Sequence, residues 1–442
     1  MKVSFVSLGC DKNLVDSEIM LGLIKEENHT IEDDYSCADI IVINTCGFIM
    51  DATQEGIDTI LDLAEYKKNG SCKGLIVTGC MAQRYRDEIF NELPEVDAVV
   101  GTSDFDKIGE VIKNISSTEK INLVTSGESN IQELFAHKRV LSTGHYGYLK
   151  IAEGCNNRCT YCTIPSIRGG YKSRTMDTLI KEAKALSEKG LKELILVAQD
   201  TSLYGTDIYG EKKLHELMRE LSKINGIEWI RLLYCYPEHV YDELIEEIKN
   251  NKKICKYIDM PIQHSHNRIL KRMGRRSTEQ ELKEIIKKIR TIPNMSIRTT
   301  LIVGFPGETN EEFSALAKFI EDMKFDRLGV FKYSKEDGTP AAIMADQIDE
   351  DIKEERYNYI MEVQKKVSME IFKKYQDTVV RVMVDGRLPE DDVYTGRMES
   401  DLIDVDGAVF FKCDYELYSG DFINVKITKT SDYDLMGVVY ES

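Results

Sequence analysis

The chain has 442 residues, of which 42% are hydrophobic and 30% charged, and its net charge is −18. Because that length exceeds what one hydrophobic core supports, two or three domains are expected. No apolar run approaches the roughly 18 residues of a membrane span, so no membrane association is expected. Residues 1–10 lack a small-residue cleavage site, which indicates a core strand rather than a signal peptide. Eleven scattered cysteines argue against a disulfide framework and predict a reducing, cytoplasmic location.

The charge is distributed unevenly along the chain. Residues 1–137 carry −14, residues 138–376 carry +5 and residues 377–442 carry −9. We expect these three ranges to be an N-terminal domain, a central domain and a small C-terminal domain. Acidic flanks around a mildly basic centre also bear on the choice of substrate.

In the first third, short β-rich runs alternate with helix patterns. The runs predicted to be buried parallel strands are 3–8, 39–45, 74–78 and 96–101. The helix patterns that follow them cover 12–27, 53–67, 82–93 and 104–114. This βαβα order predicts an α/β domain with a doubly wound parallel sheet.

Three cysteines of this domain follow predicted strands: Cys10, Cys46 and Cys80. Carboxyl ends of parallel strands meet at the sheet edge where ligands bind, so these thiols predict a three-cysteine site. The alternative is that each is a small buried hydrophobic residue. Five further cysteines are interpreted as structural: Cys37, Cys72, Cys235, Cys255 and Cys413. Of these, Cys37 and Cys72 precede predicted strands and so belong to the opposite edge of the sheet.

Residues 115–144 are rich in Ser, Thr, Asn and Gly and predict a linker. Strand and helix patterns then alternate again. The predicted strands are 146–152, 192–198, 228–234, 256–260, 296–303 and 326–331. Six βα units predict a partial (β/α) barrel that is open on one side, with its chemistry on the loops at the strand carboxyl ends.

The loop after the first barrel strand carries Cys155, Cys159 and Cys162. Soft thiolates favour zinc or an iron–sulfur cluster. A closed zinc site needs four ligands and no fourth Cys or His lies nearby, although a distant one is the alternative. Three thiolates suit a 4Fe–4S cluster better, because they leave one iron free for a small molecule. This spacing resembles the signature of the radical S-adenosylmethionine (SAM) enzymes.

Other predicted strand ends also carry polar or glycine residues. Asp200 and Gly304 are candidate SAM contacts, as is Tyr161 between two of the thiols. The alternatives are a cap or salt bridge for Asp200, a turn capped by Thr309 for Gly304, and simple packing for Tyr161. Two further features of these loops are interpreted as structural, namely the histidine of Gln263-His264 and the basic run at 268–276 as a solvated helix face.

A long charged helix pattern at 346–374 leads into five short β-rich runs separated by Gly turns. They predict a small five-stranded antiparallel barrel. Within it, acidic side chains are too dense for a phosphate-binding surface and predict steering of a basic protein. These side chains are Asp391, Asp392, Glu399, Asp401, Asp404 and Asp406.

Both three-cysteine sets, the partial barrel and the small terminal barrel together resemble the methylthiotransferases, over essentially all 442 residues. The resemblance implies two 4Fe–4S clusters and SAM as cofactors. It implies an auxiliary cluster at Cys10, Cys46 and Cys80, and the SAM-binding cluster in the barrel. It further implies a C-terminal TRAM domain that binds substrate.

Within that family the chain resembles the branch that modifies a ribosomal protein, on stretches 7–18, 198–201 and 326–331. Asp11 stands where this branch more usually has Pro. The implied reaction places a methylthio group on the β-carbon of an aspartate in the S-twelve protein of the small subunit, free or in the ribosome. One SAM supplies the methyl group and a second the radical, with a low-potential donor such as flavodoxin or ferredoxin.

Two other functions are alternatives to this one. The same chemistry on a modified adenosine of tRNA needs a phosphate-binding surface, and the acidic C-terminal domain argues against nucleic acid as the direct substrate. A non-catalytic electron carrier is disfavoured because carriers usually give each cluster four protein ligands, whereas both sets here have three.

Overall fold

The structure is a computed structural model that describes residues 1–115, 119–125, 139–389 and 392–440. Two parallel sheets and a closed barrel follow one another along the chain. The predicted fold class is confirmed. Within the described residues, no helix has the length and apolar character needed to cross a membrane.

The N-terminal sheet has six parallel strands in the order β2-β1-β3-β4-β5-β6. They are β1 Lys2–Ser7, β2 Thr30–Ile31, β3 Ile40–Thr45, β4 Gly74–Gly79, β5 Ala98–Val100 and β6 Ile121–Leu123. The helices are α1 Asp11–Glu26, α2 Met50–Asn69, α3 Cys80–Tyr85, α4 Asp87–Glu92 and α5 Ile108–Asn114. Helices α1 and α5 pack on one face and α2 to α4 on the other, so the sheet is doubly wound as predicted.

This domain differs from the prediction in three places. Strand β2 at one edge of the sheet lies outside every predicted strand. The single helix predicted at 82–93 is two helices, because Arg86 adopts a left-handed φ of 44° between them. Strand β6 adds to the sheet edge inside the segment predicted as a linker. The rest of that prediction at 116–118 and 126–138 lies outside the described residues.

The central sheet has the order β14-β13-β12-β11-β10-β7, all parallel and not closed, as expected for a partial barrel. Its strands are β7 Tyr146–Lys150, β10 Glu193–Val197, β11 Trp229–Leu232, β12 Ile254–Asp259, β13 Ser296–Val303 and β14 Arg327–Lys332, with a short ladder of β8 Ala152–Glu153 and β9 Lys172–Ser173 beside them. The helices are α6 Ile164–Arg168, α7 Met176–Glu188, α8 Leu214–Ser222, α9 Asp242–Asn250, α10 Asn267–Arg272, α11 Glu279–Ile289, α12 Asn310–Met323 and α13 Glu350–Phe372.

Five strands close the C-terminal barrel in the order β15-β16-β17-β19-β18. They are β15 Val379–Arg387, β16 Tyr394–Arg397, β17 Val409–Lys412, β18 Phe422–Thr430 and β19 Leu435–Val439. Four of the pairings are antiparallel as predicted, whereas β17 and β19 pair in parallel. The parallel pairing of β17 with β19 completes the closed barrel.

The C-terminal barrel is joined to the central domain by buried ion pairs. Glu193 at the start of β10 is fully buried and accepts hydrogen bonds from Arg231, at 2.6 Å, and from Arg397 of β16. Burial would raise the pKa of Glu193, but the two guanidinium groups together hold it below its usual value. This carboxylate therefore stays charged and fixes the C-terminal barrel against β10.

Two of the acidic residues predicted to lie on a steering surface take part in this contact instead. Asp401 forms a buried ion pair with Arg327 at the start of β14. The Asp406 side chain is buried beside Arg298 and Arg327. The prediction of one dense acidic surface is therefore wrong for these two. Exposed members are Asp392 and Asp404, Glu399 is half-buried, and Asp391 lies outside the described residues.

Candidate active site

Three thiols lie at the carboxyl edge of neighbouring strands in the N-terminal sheet. Cys46 directly follows β3, Cys80 directly follows β4, and Cys10 lies three residues after the end of β1. Gly9 has a φ of +91°, and a Cβ atom there would lie 2.9 Å from the Cβ of Cys46. Glycine at this position therefore lets the Cys10 loop approach the Cys46 loop closely.

These thiols influence one another electrostatically. Burial raises the pKa of Cys80 to about 11 and also raises that of Cys46. The neighbouring Cys10 raises both further, whereas the guanidinium of Arg168 lowers both. The three sulfur atoms thus share one small site, where iron binding would have to displace thiol protons.

Asn13 in the first turn of α1 connects the three loops. Its side-chain amide donates hydrogen bonds to the carbonyl oxygens of Thr45, at 3.0 Å, and Leu8, at 3.3 Å. Its Oδ1 lies 3.6 Å from the sulfur of Cys80. Asn13 is fully buried, so water does not compete for the hydrogen bonds that hold these loops.

The second thiol set lies on the loop between β8 and α6. Backbone N–H groups donate to two of its sulfur atoms, from Asn157 to Cys155 and from Ile164 to Cys162, both at 3.4 Å. Burial raises the pKa of Cys155 to about 11 and of Cys162 to about 12. Three clustered thiols that accept backbone hydrogen bonds are suited to hold an iron–sulfur cluster.

A single-ion site is not formed at either set. Among the described residues, no three His, Cys, Asp or Glu side chains converge on one metal position. The zinc alternative needs four such ligands around one ion. A four-iron cluster instead binds each thiolate through a different iron and so holds its sulfur ligands farther apart. The assignment of a 4Fe–4S cluster to each set stays a prediction.

One cavity of about 590 Å³ is lined by residues that lie within three positions of Cys46 and Cys162 in the sequence. Phe48 and Ile49, just after Cys46, line one side, and Tyr161 lines the other. Further lining residues from the barrel are Gln263, Thr300, Ile302 and Tyr333. The cavity is large enough for a ligand of the size of SAM. Tyr161 and the segment containing Gln263 were singled out in the sequence, whereas Thr300, Ile302 and Tyr333 carry no distinctive motif.

Asp200 and Gly304, predicted as SAM contacts, do not line this cavity. Asp200 is fully buried, and its carboxylate is 2.7 Å from the His239 ring and accepts from Asn157, at 3.1 Å, and Ser202, at 2.6 Å. These bonds hold the thiol loop through Asn157. They match the salt-bridge alternative, and contact with SAM stays a prediction for Asp200.

Gly304 directly follows β13 with a φ of +70°. Its N–H donates to Glu308 at 2.5 Å, and a Cβ atom there would meet the side chain of Lys353 at 2.3 Å. Thr309 caps α12 through a capping box, as the turn alternative predicted. The His264 ring lies 3.1 Å from the Glu308 carboxylate and is buried, in agreement with a structural histidine.

Arg275 contradicts the prediction of a solvated basic helix face. It is 7% exposed, and its guanidinium lies over the Tyr236 ring at 4.1 Å. The Tyr236 hydroxyl is 3.5 Å from the sulfur of Cys159. The sequence gives no local signal for either residue, because they reach the thiol loop from different strand ends.

A partial parallel barrel with three thiols on its first loop, next to a cavity of this size, defines the chain as a radical SAM enzyme. Three family models match the chain. The model described as "Radical SAM superfamily" matches residues 149–320, the one described as "Uncharacterized protein family UPF0004" matches residues 2–101, and the one described as "TRAM domain" matches residues 378–439.

Curated relatives cover the chain from end to end. The ribosomal protein uS12 methylthiotransferase RimO of Lachnoclostridium phytofermentans is 51% identical, with 99% of each chain covered. That of Clostridium botulinum strain Hall is 51% identical over 100% of this chain and 98% of its own. That of Acetivibrio thermocellus is 50% identical over 99% and 98%. The chain belongs to the RimO family of radical SAM methylthiotransferases.

Solved structures support the fold. The radical SAM methyltransferase TsrM of Kitasatospora setae, with cobalamin and a [4Fe-4S] cluster bound, has a TM-score of 0.57 over 77% of each chain. The radical enzyme OxsB, with aqua-cobalamin and SAM bound, has a TM-score of 0.53 over 83% of this chain and 56% of its own. Both are 14% identical to this chain, so the likeness is one of fold alone.

Proposed function

We propose that this protein transfers a methylthio group to the β-carbon of an aspartate in the small-subunit ribosomal protein S-twelve, uS12. The observation that carries the proposal is the presence of two three-thiol sets at strand carboxyl ends, in a chain 50–51% identical to RimO proteins over 99% of its length. A carbon–hydrogen bond without an activating group resists acid–base chemistry at neutral pH, so the reaction needs a radical.

Cys155, Cys159 and Cys162 would hold one 4Fe–4S cluster, and the set at Cys10, Cys46 and Cys80 would hold the other. When bound with SAM, these groups supply a radical that removes the hydrogen and an iron that carries the sulfur to be transferred. The chain's own residues do the positioning. Backbone N–H groups orient the sulfur ligands, and Asp200 fixes the thiol loop through Asn157.

Part of the cavity wall is apolar. Its walls are aliphatic and aromatic at Ile49, Ile302 and Tyr161, and Tyr333 is 3% exposed with a hydroxyl that has no hydrogen-bond partner among the described residues. Tyr161, and with it Asp200 and Gly304 as indirect supports, are the residues we assign to SAM.

We assign a separate role to each of three ranges of the chain. Residues 1–137 carry the auxiliary site, residues 138–376 the radical SAM site, and residues 377–442 the substrate-binding barrel. The barrel's net charge of −9 suits a Lys- and Arg-rich ribosomal protein better than tRNA phosphates. We assign the protein to the cytoplasm, with a low-potential donor such as flavodoxin or ferredoxin.

The test is a side-by-side turnover experiment. Reduced enzyme with both clusters and SAM is incubated with purified uS12, with assembled small subunits and with tRNA, and each product is analysed by mass spectrometry. We expect a methylthio mass increase on one aspartate of uS12 and formation of 5′-deoxyadenosine. A methylthio group on tRNA adenosine with unmodified uS12 would establish the alternative substrate instead.

A further inference from the structure

A buried cation joins the two thiol sets. Arg168 is the last residue of α6, six residues after Cys162, yet its guanidinium reaches the auxiliary site in the other domain. Its Nη2 lies 3.5 Å from the sulfur of Cys80 and donates to Oδ1 of Asn13 at 2.5 Å. The Arg168 side chain is 2% exposed, so these contacts are made without competing water.

The contact with Asn13 extends the reach of this cation to all three auxiliary loops. The Asn13 amide donates hydrogen bonds to the Leu8 and Thr45 carbonyls, which lie two residues before Cys10 and one residue before Cys46. One guanidinium therefore touches the Cys80 sulfur directly and the other two loops through a single buried amide. Any change in the position of α6 would be transmitted to the loops that carry these thiols.

The charge of Arg168 is balanced by carboxylates from both domains. Its Nη1 contacts Asp16 of α1 at 3.1 Å and Glu153 of β8 at 3.0 Å. Lys150 of β7 contacts the same two carboxylates. Two cations and two anions thus form one buried network, and this orients the Nη2 group toward sulfur with little freedom.

We propose that Arg168 is a positioning residue for the auxiliary site, which donates a hydrogen bond to the Cys80 sulfur and fixes that site relative to the SAM-cluster loop. The proposal rests on the proposed function, because it assumes a cluster at Cys10, Cys46 and Cys80. A hydrogen bond to a ligand sulfur stabilises the more negative, reduced form of a cluster. Arg168 should therefore raise the reduction potential of the auxiliary cluster.

The test is a potentiometric titration of the full-length protein with both clusters, followed by electron paramagnetic resonance. The signal that changes when SAM is added belongs to the barrel cluster, and the other reports the auxiliary cluster. The variants are Arg168→Lys, which keeps the charge but loses the two-pronged contact, and Arg168→Gln, which loses both. If Arg168→Gln does not fold, Arg168→Lys decides.

The matched control is Arg139→Gln. Arg139 is also buried and also joins α1 to the central domain, through Glu18 at 2.6 Å, but among the described residues it contacts no cysteine. We expect the auxiliary potential to become more negative in Arg168→Lys and further so in Arg168→Gln, and to stay at the wild-type value in Arg139→Gln. We also expect more 5′-deoxyadenosine per methylthio product in the Arg168 variants only.

Several outcomes would overturn the proposal. An unchanged auxiliary potential in both Arg168 variants would mean that the guanidinium does not act on the site. An equal shift in Arg139→Gln would assign the effect to general loosening of the domain contact. A shift to more positive potential would indicate water entering the site, since water stabilises the more highly charged form. A wild-type protein with only one cluster would instead refute the proposed function itself.

Discussion

Arg84 of α3 and Glu336, which follows β14, form a buried ion pair at 2.8 Å, and Glu336 is 2% exposed. The other Glu336 oxygen accepts the backbone N–H of Met50 at 2.9 Å. Arg84 also donates to the carbonyl of Gly47 at 2.9 Å. A carboxylate from the barrel thereby holds the helix that begins at Cys80 and the segment that follows Cys46, so the auxiliary site is fixed over the cavity.

Changing Glu336 to Gln tests this contact. The substitution leaves the Arg84 guanidinium buried without a counter-charge, and we expect a loss of about 3–5 kcal/mol in the free energy of unfolding. We also expect less iron per chain, because two auxiliary loops lose their support. Thermal unfolding and iron analysis measure both. Asp322→Asn, in an exposed pair with Lys318, is the control and should cost about 0.5 kcal/mol or less. Equal losses in the two variants would show that the buried pair has no special role.

The iron content per chain shows whether the protein holds two separate clusters. A variant with Cys155, Cys159 and Cys162 all changed to Ala should keep about half of the iron, because the other set lies in a different domain. It should form no 5′-deoxyadenosine. Iron per chain and product analysis after reconstitution are the measurements. Complete loss of iron with a native circular dichroism spectrum would mean that the two sets depend on one cluster.

The opposite sheet edge supplies matched controls for the auxiliary thiols. Cys37 and Cys72 precede β3 and β4, at the amino edge of the sheet, and Cys72 is already bonded to the Gly74 carbonyl at 3.3 Å. Changing either to Ser should leave iron content and turnover near wild type. Changing Cys46 to Ser should abolish methylthiolation while SAM cleavage stays measurable. Retention of iron at the auxiliary site in the Cys46 variant but not in the Cys72 variant would reverse the assignment of the edges.

The sequence predicted all six strands of the central sheet and four of the six in the N-terminal sheet, because buried parallel strands are continuous apolar runs bounded by turn residues. It missed the short edge strands β2 and β6. It also predicted which sheet edge gathers Cys10, Cys46 and Cys80, since strand direction alone determines this. The network around Arg168 could not be predicted. Its members come from α1, β7, β8 and α6, and no local pattern links residues that meet only when two domains pack.

The burial of Asp401 was missed for a related reason. A run of acidic residues indicates a solvated surface unless the basic side chains that pair with it are known. The partner of Asp401 is Arg327, which lies 74 positions earlier in the chain. Arg275 was misjudged in the same way, because its partner Tyr236 belongs to another strand end. Local composition reports charge correctly but does not reveal which charges are paired in the folded chain.

Thiol reactivity without iron should depend steeply on pH. Only the thiolate reacts with iodoacetamide, and burial raises the pKa of Cys80 to about 11 and of Cys162 to about 12. Both stay protonated at neutral pH, so their alkylation should rise about tenfold per pH unit from 7 to 9. Mass spectrometry of iron-free protein gives the rates, with the exposed Cys37 as an internal comparison. Alkylation of Cys80 at pH 7 as fast as that of Cys37 would contradict a buried, protonated thiol.

The acidic barrel should act on its substrate through its exposed carboxylates alone. Asp392 and Asp404 are exposed, whereas Asp401 is 1% exposed and paired with Arg327. Reversing the two exposed residues to Lys should slow association with uS12 and flatten its dependence on salt, because charge steering acts mainly on the association rate. Asp401→Asn should instead lower the unfolding temperature and leave that salt dependence unchanged. The two effects are separated by stopped-flow measurements of the association rate from about 50 to about 300 mM salt, a range over which the Debye length shortens. Unaltered association in the double Lys variant, or tighter binding of wild-type enzyme to tRNA than to uS12, would remove the steering role from this barrel.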